Sequence, residues 1–130
     1  CVSGTVAAAR EASLFGCPAI ALSQHLRKFK QPFDWSKTVR MAKNTLPQIL
    51  EQPFPHGRWI NINFPDVNPC DHDTVQLVET ELDPAPLPAQ YTKLADGSLL
   101  YCGVYNDRPR KRNHDADVCF SGNISVTFHD

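Results

Sequence analysis

The chain lacks an excess of either charge: 13 Lys and Arg stand against 14 Asp and Glu over 130 residues, a formal net charge of -1. No long-range field therefore draws it to nucleic acid or to an acidic membrane surface. It also lacks long apolar runs. None approaches the roughly eighteen residues of a transmembrane helix, and no basic start leads into an apolar segment, so neither a membrane span nor a signal peptide is read. The five cysteines are odd in number and irregularly spaced, with no Cys-x-x-Cys pair. This argues against a disulfide framework and for a reduced, cytoplasmic chain. Methionine is nearly absent: Met41 is the single one, and the sequence opens on Cys1. The expectation is a C-terminal piece of a longer protein, with one core burying roughly two-thirds of the unfolded surface.

What is present is organised around the start. Ser3-Gly4-Thr5-Val6 runs into an alanine-rich helix over residues 7–15, and then a strand over 19–23. A Ser-Gly-Thr turn at a helix start leaves backbone N–H groups without partners at the positive end of the peptide dipoles, where an anion is favoured. Ser3 and Thr5 are both N-cap candidates. Neither has an acid or amide three residues on, so no capping box consumes the free donors. Val6, Ala9 and Ser13, extended by Leu14, are the expected inner face. Gly16 and Pro18 end the helix. Ala19-Ile20-Ala21-Leu22 is apolar on both faces, as in a strand buried in a parallel sheet, and helix followed at once by buried strand indicates an α/β fold.

Residues 24–33 form a basic polar loop holding His25, Arg27, Lys28 and Lys30. His25 is expected to be solvated there, and is kept as a substrate-side candidate because such loops reach the ligand crevice of α/β sheets. Asp34 is the expected N-cap of an amphipathic helix with Trp35, Val39, Ala42, Leu46 and Ile49 as its stripe, kinked or ended early by Pro47. After a turn-rich stretch around Pro53, Pro55 and His56, residues 59–64 alternate. Ile60, Ile62 and Phe64 share one face, and Trp59, Asn61 and Asn63 the other. Two asparagines on one face either find backbone and water partners or line a site.

A β-branched strand is expected over 74–82 and a stiff, proline-rich connector over 83–88. Residues 91–94 and 99–105 flank Ala95-Asp96-Gly97-Ser98, a hairpin signal. The hairpin reads as a protruding surface flap or, preferably, as an arm for a partner subunit. The basic run Arg108-Pro109-Arg110-Lys111-Arg112 reads as exposed loop, without the aromatics or motif of a nucleic-acid binder. A short helical turn from Asp115-Ala116-Asp117 through Phe120 and a strand over 124–128 close the chain.

Spacing alone yields no catalytic motif. Cys70, Asp71, His72, Asp73, His114, Asp115, Asp117 and Cys119 fit no zinc pattern and read as chance clustering. Ser3, Asp34 and His25 lack the Gly-x-Ser-x-Gly elbow of a nucleophilic triad.

Four separated segments carry a resemblance over nearly the whole chain. Ser3-Gly4-Thr5-Val6-Ala7-Ala8-Ala9-Arg10-Glu11 and Gly16-Cys17-Pro18-Ala19-Ile20-Ala21-Leu22-Ser23 resemble the central motif of the survival protein E (SurE) family of nucleotide phosphatases. Ile60-Asn61-Ile62-Asn63-Phe64-Pro65 is similar to its Leu-Asn-Val-Asn-Val-Pro strand, and Asp115-Ala116-Asp117-Val118 with Ile124-Ser125-Val126-Thr127 to its closing segment. The resemblance implies a partial Rossmann-like α/β domain over residues 1–130, with a hairpin extension over roughly 84–112 that exchanges between subunits of a homo-oligomer. It also implies hydrolysis of 5′- or 3′-nucleoside monophosphates with magnesium or manganese. Ser3, Gly4 and Thr5 would be the phosphate contacts, with Asn61, Asn63 and His25 as site-lining candidates.

The metal ligands of the family are two consecutive aspartates, a loop serine and an asparagine before the Ser-Gly-Thr-Val motif. All would precede Cys1, and no Asp-Asp pair occurs in the chain. Val2 stands where the family has tyrosine, Ala12 where it has glycine, and Phe128-His129-Asp130 where it has Pro-Leu. The chain alone is therefore expected to be inactive; the alternative is a non-enzymatic oligomerisation or interaction module on the same fold.

Overall fold

The computed structural model of the chain describes residues 3–28, 32–51, 54, 57–67 and 74–130. Lys30, Pro53, Pro55, His56, Cys70, Asp71, His72 and Asp73, all weighed above, lie outside the described residues.

Ser3 is the cap of the first helix, α1 (Gly4–Leu14): its Oγ accepts from the Val6 N–H at 3.4 Å. The helix ends in a Schellman motif on Gly16, with Gly16 N bonded to Ser13 O at 2.9 Å and Cys17 N to Ala12 O at 3.1 Å. Gly16 takes a φ of 76°, which a side chain would resist. Ala9 and Ser13 are buried, but Leu14 is 73% exposed, so the expected extension of the stripe fails. Leu14 stands about 100° round the helix from Ser13, off the contact line.

Strand β1 (Ala19–Gln24) pairs in parallel with β2 (Trp59–Phe64), Ala21 opposite Asn61 and Ser23 opposite Asn63. β2 pairs antiparallel with β6 (Ile124–His129), and β6 in parallel with β3 (Leu77–Glu79), giving the order β1-β2-β6-β3. The sheet is thus mixed, and β1 is an edge strand among the described residues, with Leu22 42% exposed rather than buried. β3 is shorter than the strand expected over 74–82. Its partner β6 begins opposite Leu77, and after Thr80 N donates to Val126 O at 2.8 Å the chain leaves the sheet.

Helix α2 (Ser36–Leu50) covers one face of the sheet. Met41, Thr45 and Ile49 are its buried line, flanked by Ala42 and Leu46, whereas Trp35 and Val39 stay half-exposed. A stripe drawn through apolar types passes over Thr45, which is buried one turn from both Met41 and Ile49. Asp34 is not the cap: its Oδ1 accepts from Ser36 N at 2.9 Å in a turn that precedes the helix. Nor does Pro47 end the helix early. It removes only the donor for the carbonyl of exposed Lys43, while Glu51 N still bonds Pro47 O at 3.0 Å.

On the other face lie α1 and the short α3 (Asp115–Phe120). Between the sheet and α3 the chain makes an excursion. Strands β4 (Tyr91–Lys93) and β5 (Leu99–Tyr101) form an antiparallel hairpin whose turn places Gly97 at a φ of 86°. The second arm stops at Tyr101 instead of Tyr105, because Tyr105–Asp107 wind into a 3-10 turn.

The two faces of the sheet differ in kind. Ile60, Ile62, Phe64, Ile124 and Val126 join Met41 and Ile49 in one apolar core. The opposite face begins apolar, with Ala19, Ala21 and Trp59 against Ala9, and then turns polar through Asn61, Asn63, Ser125 and Thr127.

Candidate functional site

A cleft of about 810 Å³ opens over that polar face, floored by Ser23, Asn61 and Asn63. Because α1 runs into β1 through a tight turn, its N-terminus lies at the carboxyl end of the parallel strands, and Ser3 and Val6 form one wall. Ala116, Cys119 and Phe120 of α3 form a second wall, and Leu87, Tyr105, Asn106 and Arg108 of the excursion a third.

Of the phosphate candidates, Ser3 lines the cleft. Gly4 and Thr5 are exposed on the adjoining turn and are not among the lining residues. Their backbone N–H groups, at the first helical positions, find no partner among the described residues, while the Ser3 hydroxyl is engaged as the cap. Asn61 and Asn63 both line the cleft; Asn63 Nδ2 donates to Ser125 Oγ at 3.2 Å, whereas Asn61 Oδ1 is buried without a partner among the described residues.

His25 departs from the expectation of a solvated loop residue. It is 8% exposed, its ring stacks on Phe120 with centroids 4.0 Å apart, and Nε2 lies 2.7 Å from Asn106 Oδ1. The cause is that β1 hands its alternation on: Ala21, Ser23 and His25 share a face, and His25 N is held by Phe64 O at 2.9 Å. Asp34 of the rejected triad is exposed and takes no part in the cleft.

The basic run is exposed over residues 109–112, as expected, and departs from that only at its first residue. Arg108 is half-buried, donates from Nη2 to Ala85 O at 3.0 Å and lies over the Tyr105 ring, and Arg110 lies over Phe120 with its guanidinium carbon 4.8 Å from the centroid. The expected connector over 83–88 has neither helix nor strand, and its first residue is pinned. Asp83 is buried, its carboxylate accepting from Ala85 N at 2.8 Å and Lys111 N at 2.9 Å, and its own N–H donates to Asp115 Oδ1 at 2.8 Å. Burial pushes the Asp83 carboxyl up, but those two N–H groups, with Arg108 and His114, hold it below the usual carboxylate range.

Asn106, Arg108 and Phe120 escaped sequence reasoning. Asn106 meets residues 79 and 81 positions away, and no local pattern announces such contacts.

The described members of the rejected metal set each have a structural task. His114 Nδ1 contacts Arg112 O at 3.1 Å, Asp115 Oδ1 takes the N–H groups of Asp83 and Ala116, and Asp117 Oδ2 takes that of Asn113. The Cys119 thiol is pushed up to about 12 by burial, with Asp115 adding to the shift. Among the described residues no three His, Cys, Asp or Glu side chains come together as a metal site. The described carboxylates around the cleft are engaged with backbone N–H groups and do not gather into a ligand cluster, so a divalent metal does not fit the described residues alone.

An α/β domain with helices on both faces of a mixed sheet, and a cleft where a helix N-terminus meets the carboxyl ends of parallel strands, defines a ligand-binding class of fold. The sequence profile of the survival protein SurE family matches residues 1–83, and the chain belongs to that family. A Nostoc sp. protein carrying a provisional 5′-nucleotidase name is 39% identical over 126 residues, covering 97% of this chain and 54% of the relative. A protein named 5′-nucleotidase SurE from Paramagnetospirillum magneticum is 43% identical over 129 residues, covering 96% of this chain and 48% of the relative. The chain thus spans about half the length of these relatives. The crystal structure of the SurE protein from Aquifex aeolicus superposes with a TM-score of 0.69 at 18% identity, covering 98% of this chain and 51% of that one, and supports the fold. No helix among the described residues is long and apolar enough to cross a membrane.

Proposed function

We propose that this chain forms the phosphate-side and nucleoside-side half of a nucleoside monophosphate phosphatase site. The observation that carries the reading is a cleft with the polar floor of Asn61 and Asn63 and the Ser3 cap in its wall, beside which the uncapped N–H groups of Gly4 and Thr5 lie on the adjoining turn. Gly4 and Thr5 N–H groups donate to phosphate oxygens, and the dipole of α1 favours the dianion. The predominantly apolar walls receive the nucleoside. Hydrolysis transfers the phosphoryl group from the sugar oxygen to water. A divalent metal belongs to this reading at the level of the family, and no step is assigned to it on these residues.

The first test is a single substitution. Gly4→Pro deletes one phosphate donor at the first helical position, where proline is favoured, and Ser3 already has the extended backbone (φ -62°, ψ 123°) that precedes proline. The expected outcome is unchanged thermal stability with AMP and inorganic phosphate bound about fivefold to tenfold more weakly, the loss of one charge-assisted hydrogen bond. Unchanged binding would remove the phosphate role of the turn. With magnesium or manganese, the 130-residue chain is expected to turn over neither nucleoside monophosphates nor p-nitrophenyl phosphate, and metal-dependent turnover would overturn that expectation.

A second reading, a homo-oligomerisation module, is favoured by the hairpin. Tyr91, Leu94, Leu99, Leu100 and Tyr101 all expose large apolar surface on a two-stranded ribbon. Sizing chromatography separates the cases: a defined oligomer lost on Leu100→Asp supports the module, and a monomer excludes it.

A further inference from the structure

His25 is the part of the cleft to which the phosphatase reading gives no task. Its ring is more than nine-tenths buried, stacks on Phe120, and meets Asn106 Oδ1 through Nε2 at 2.7 Å. The Asn106 amide is itself oriented, because Nδ2 donates to the Arg27 carbonyl at 3.2 Å and leaves Oδ1 facing the ring. An amide oxygen only accepts, so this network assigns the proton to Nε2, and Nδ1 of the neutral ring keeps a bare lone pair. That Nδ1 is buried and has no partner among the described residues. Such an acceptor is uncommon in a folded protein and asks for a donor. The backbone on either side of the ring is held by His25 N to Phe64 O at 2.9 Å and Arg27 N to Asp66 Oδ2 at 3.0 Å.

The position of the ring narrows the donor. α1 runs antiparallel to β1, so Ser3 and His25 stand at the same end of the sheet, and both line the cleft. The part of a nucleoside monophosphate joined directly to its phosphate is the sugar, whose hydroxyls are donors. We propose that His25 Nδ1 accepts a hydrogen bond from a sugar hydroxyl of the substrate, and that Asn106 is the positioning residue that fixes the tautomer for it. The proposal rests on the nucleoside monophosphate reading above. It makes the excursion over residues 83–112 part of substrate selection, since that segment delivers Asn106 to the cleft while its base is clamped by Asp83 and Lys111. Because Nδ1 has no surface open to water, the contact requires the cleft wall around the ring to shift as the substrate enters.

The test compares AMP with 2′,3′-dideoxy-AMP, which share base and phosphate. The wild-type chain is expected to bind AMP about fivefold to tenfold more tightly, as the loss of one hydrogen bond predicts. His25→Phe, which keeps a ring on Phe120, is expected to bring the ratio below about twofold, and Asn106→Ala to do the same. Asn106→Asp, which still accepts from Nε2, is expected to restore most of it. Equal binding of the two nucleotides by the wild type, or an unchanged ratio in His25→Phe, overturns the proposal while leaving the nucleotide reading intact. Binding of neither nucleotide overturns both. A ratio that persists for adenosine against dideoxyadenosine, with no gain from the phosphate, upholds the sugar contact and sinks the phosphatase reading instead. Nitrogen NMR of the folded wild type provides a check without any variant: a His25 ring protonated at Nδ1 and bare at Nε2 overturns the assignment.

Discussion

The two faces of the central sheet are made by the same strands, residue by residue in alternation, yet they do different work. Ile60, Ile62 and Phe64 of β2 face α2, with Ile62 and Phe64 wholly buried. Asn61 and Asn63, one step along, face the cleft. β6 repeats the division, with Ile124 and Val126 on the apolar side and Ser125 and Thr127 on the polar one. Period-two geometry lets one short strand present an apolar face to the core and a polar one to the cleft, because neighbouring side chains point to opposite faces. Stability should therefore depend on the even-numbered positions, and ligand affinity on the odd-numbered ones.

The largest effect should come from the apolar face. Phe64→Ala empties a fully buried ring position and is expected to cost about 3–5 kcal/mol in urea unfolding. The conservative Ile62→Val should cost about 0.5–1.5 kcal/mol and leave AMP affinity unchanged. Ser125→Ala is the matched probe of the other face. Its hydroxyl accepts from Asn63 Nδ2 at 3.2 Å, so its loss is expected to cost about 1 kcal/mol and to weaken AMP binding by releasing Asn63 into the cleft. If Ile62→Val changed affinity as much as Ser125→Ala, the division between the faces would break.

A smaller, local effect should follow at the excursion that roofs the polar face. A Cβ on Gly103 would stand 2.6 Å from both the Pro88 carbonyl oxygen and Tyr101 Cζ, closer than real Cβ contacts allow. The backbone oxygen cannot swing aside, so Gly103→Ala should destabilise the hairpin by about 1–3 kcal/mol. Hydrogen exchange should report this as faster exchange at Cys102, whose N–H bonds Gln90 O at 2.9 Å, with the protection of β2 and β6 unchanged. Loss of protection in β2 as well would mean that the roof and the sheet unfold as one unit.

Much of this arrangement was legible in sequence where the signal was local. The alternation over residues 59–64 fixed the two faces of β2, and Asp96-Gly97 marked the hairpin turn. The cap at Ser3 could be narrowed to two residues, and the Schellman end of α1 followed from Gly16. What could not be read depends on contacts across the fold. Whether β1 is central or an edge depends on its neighbours, the length of β3 on where β6 begins, and the buried row of α2 on the burial of Thr45. The cleft divides the same way. Ser3, Asn61, Asn63 and His25 were named because each sits in a local pattern. The burial of His25 and the presence of Asn106 and Arg108 depend on an excursion that returns to the sheet after some eighty residues.

The smallest effect is electrostatic, and it too belongs to the polar side. His129 stacks on Trp59 with centroids 3.9 Å apart, beside an ion pair of Arg58 with Asp130. Burial holds its imidazole below the ordinary value against the opposing pull of Asp115 and Asp130, so the folded state prefers the neutral ring. A group depressed in the folded state stabilises above its unfolded pKa, and that contribution is lost as pH falls through the lower folded value. For His129 the loss should begin near pH 6.5, and for Asp83, also depressed, only below about 3.9. Unfolding midpoints followed through Trp fluorescence should therefore fall in two separate steps on acidification. His129→Phe should abolish the first step and Asp83→Asn reduce the second, to which Asp34 and Asp96, also held low by their bonds to Ser36 and Ser98, contribute. Ile62→Val should lower the whole curve without changing its shape. A single step near pH 4 in the wild type would show that His129 is not held neutral by its burial, and would assign the acid sensitivity to the carboxylates, the buried Asp83 clamp among them.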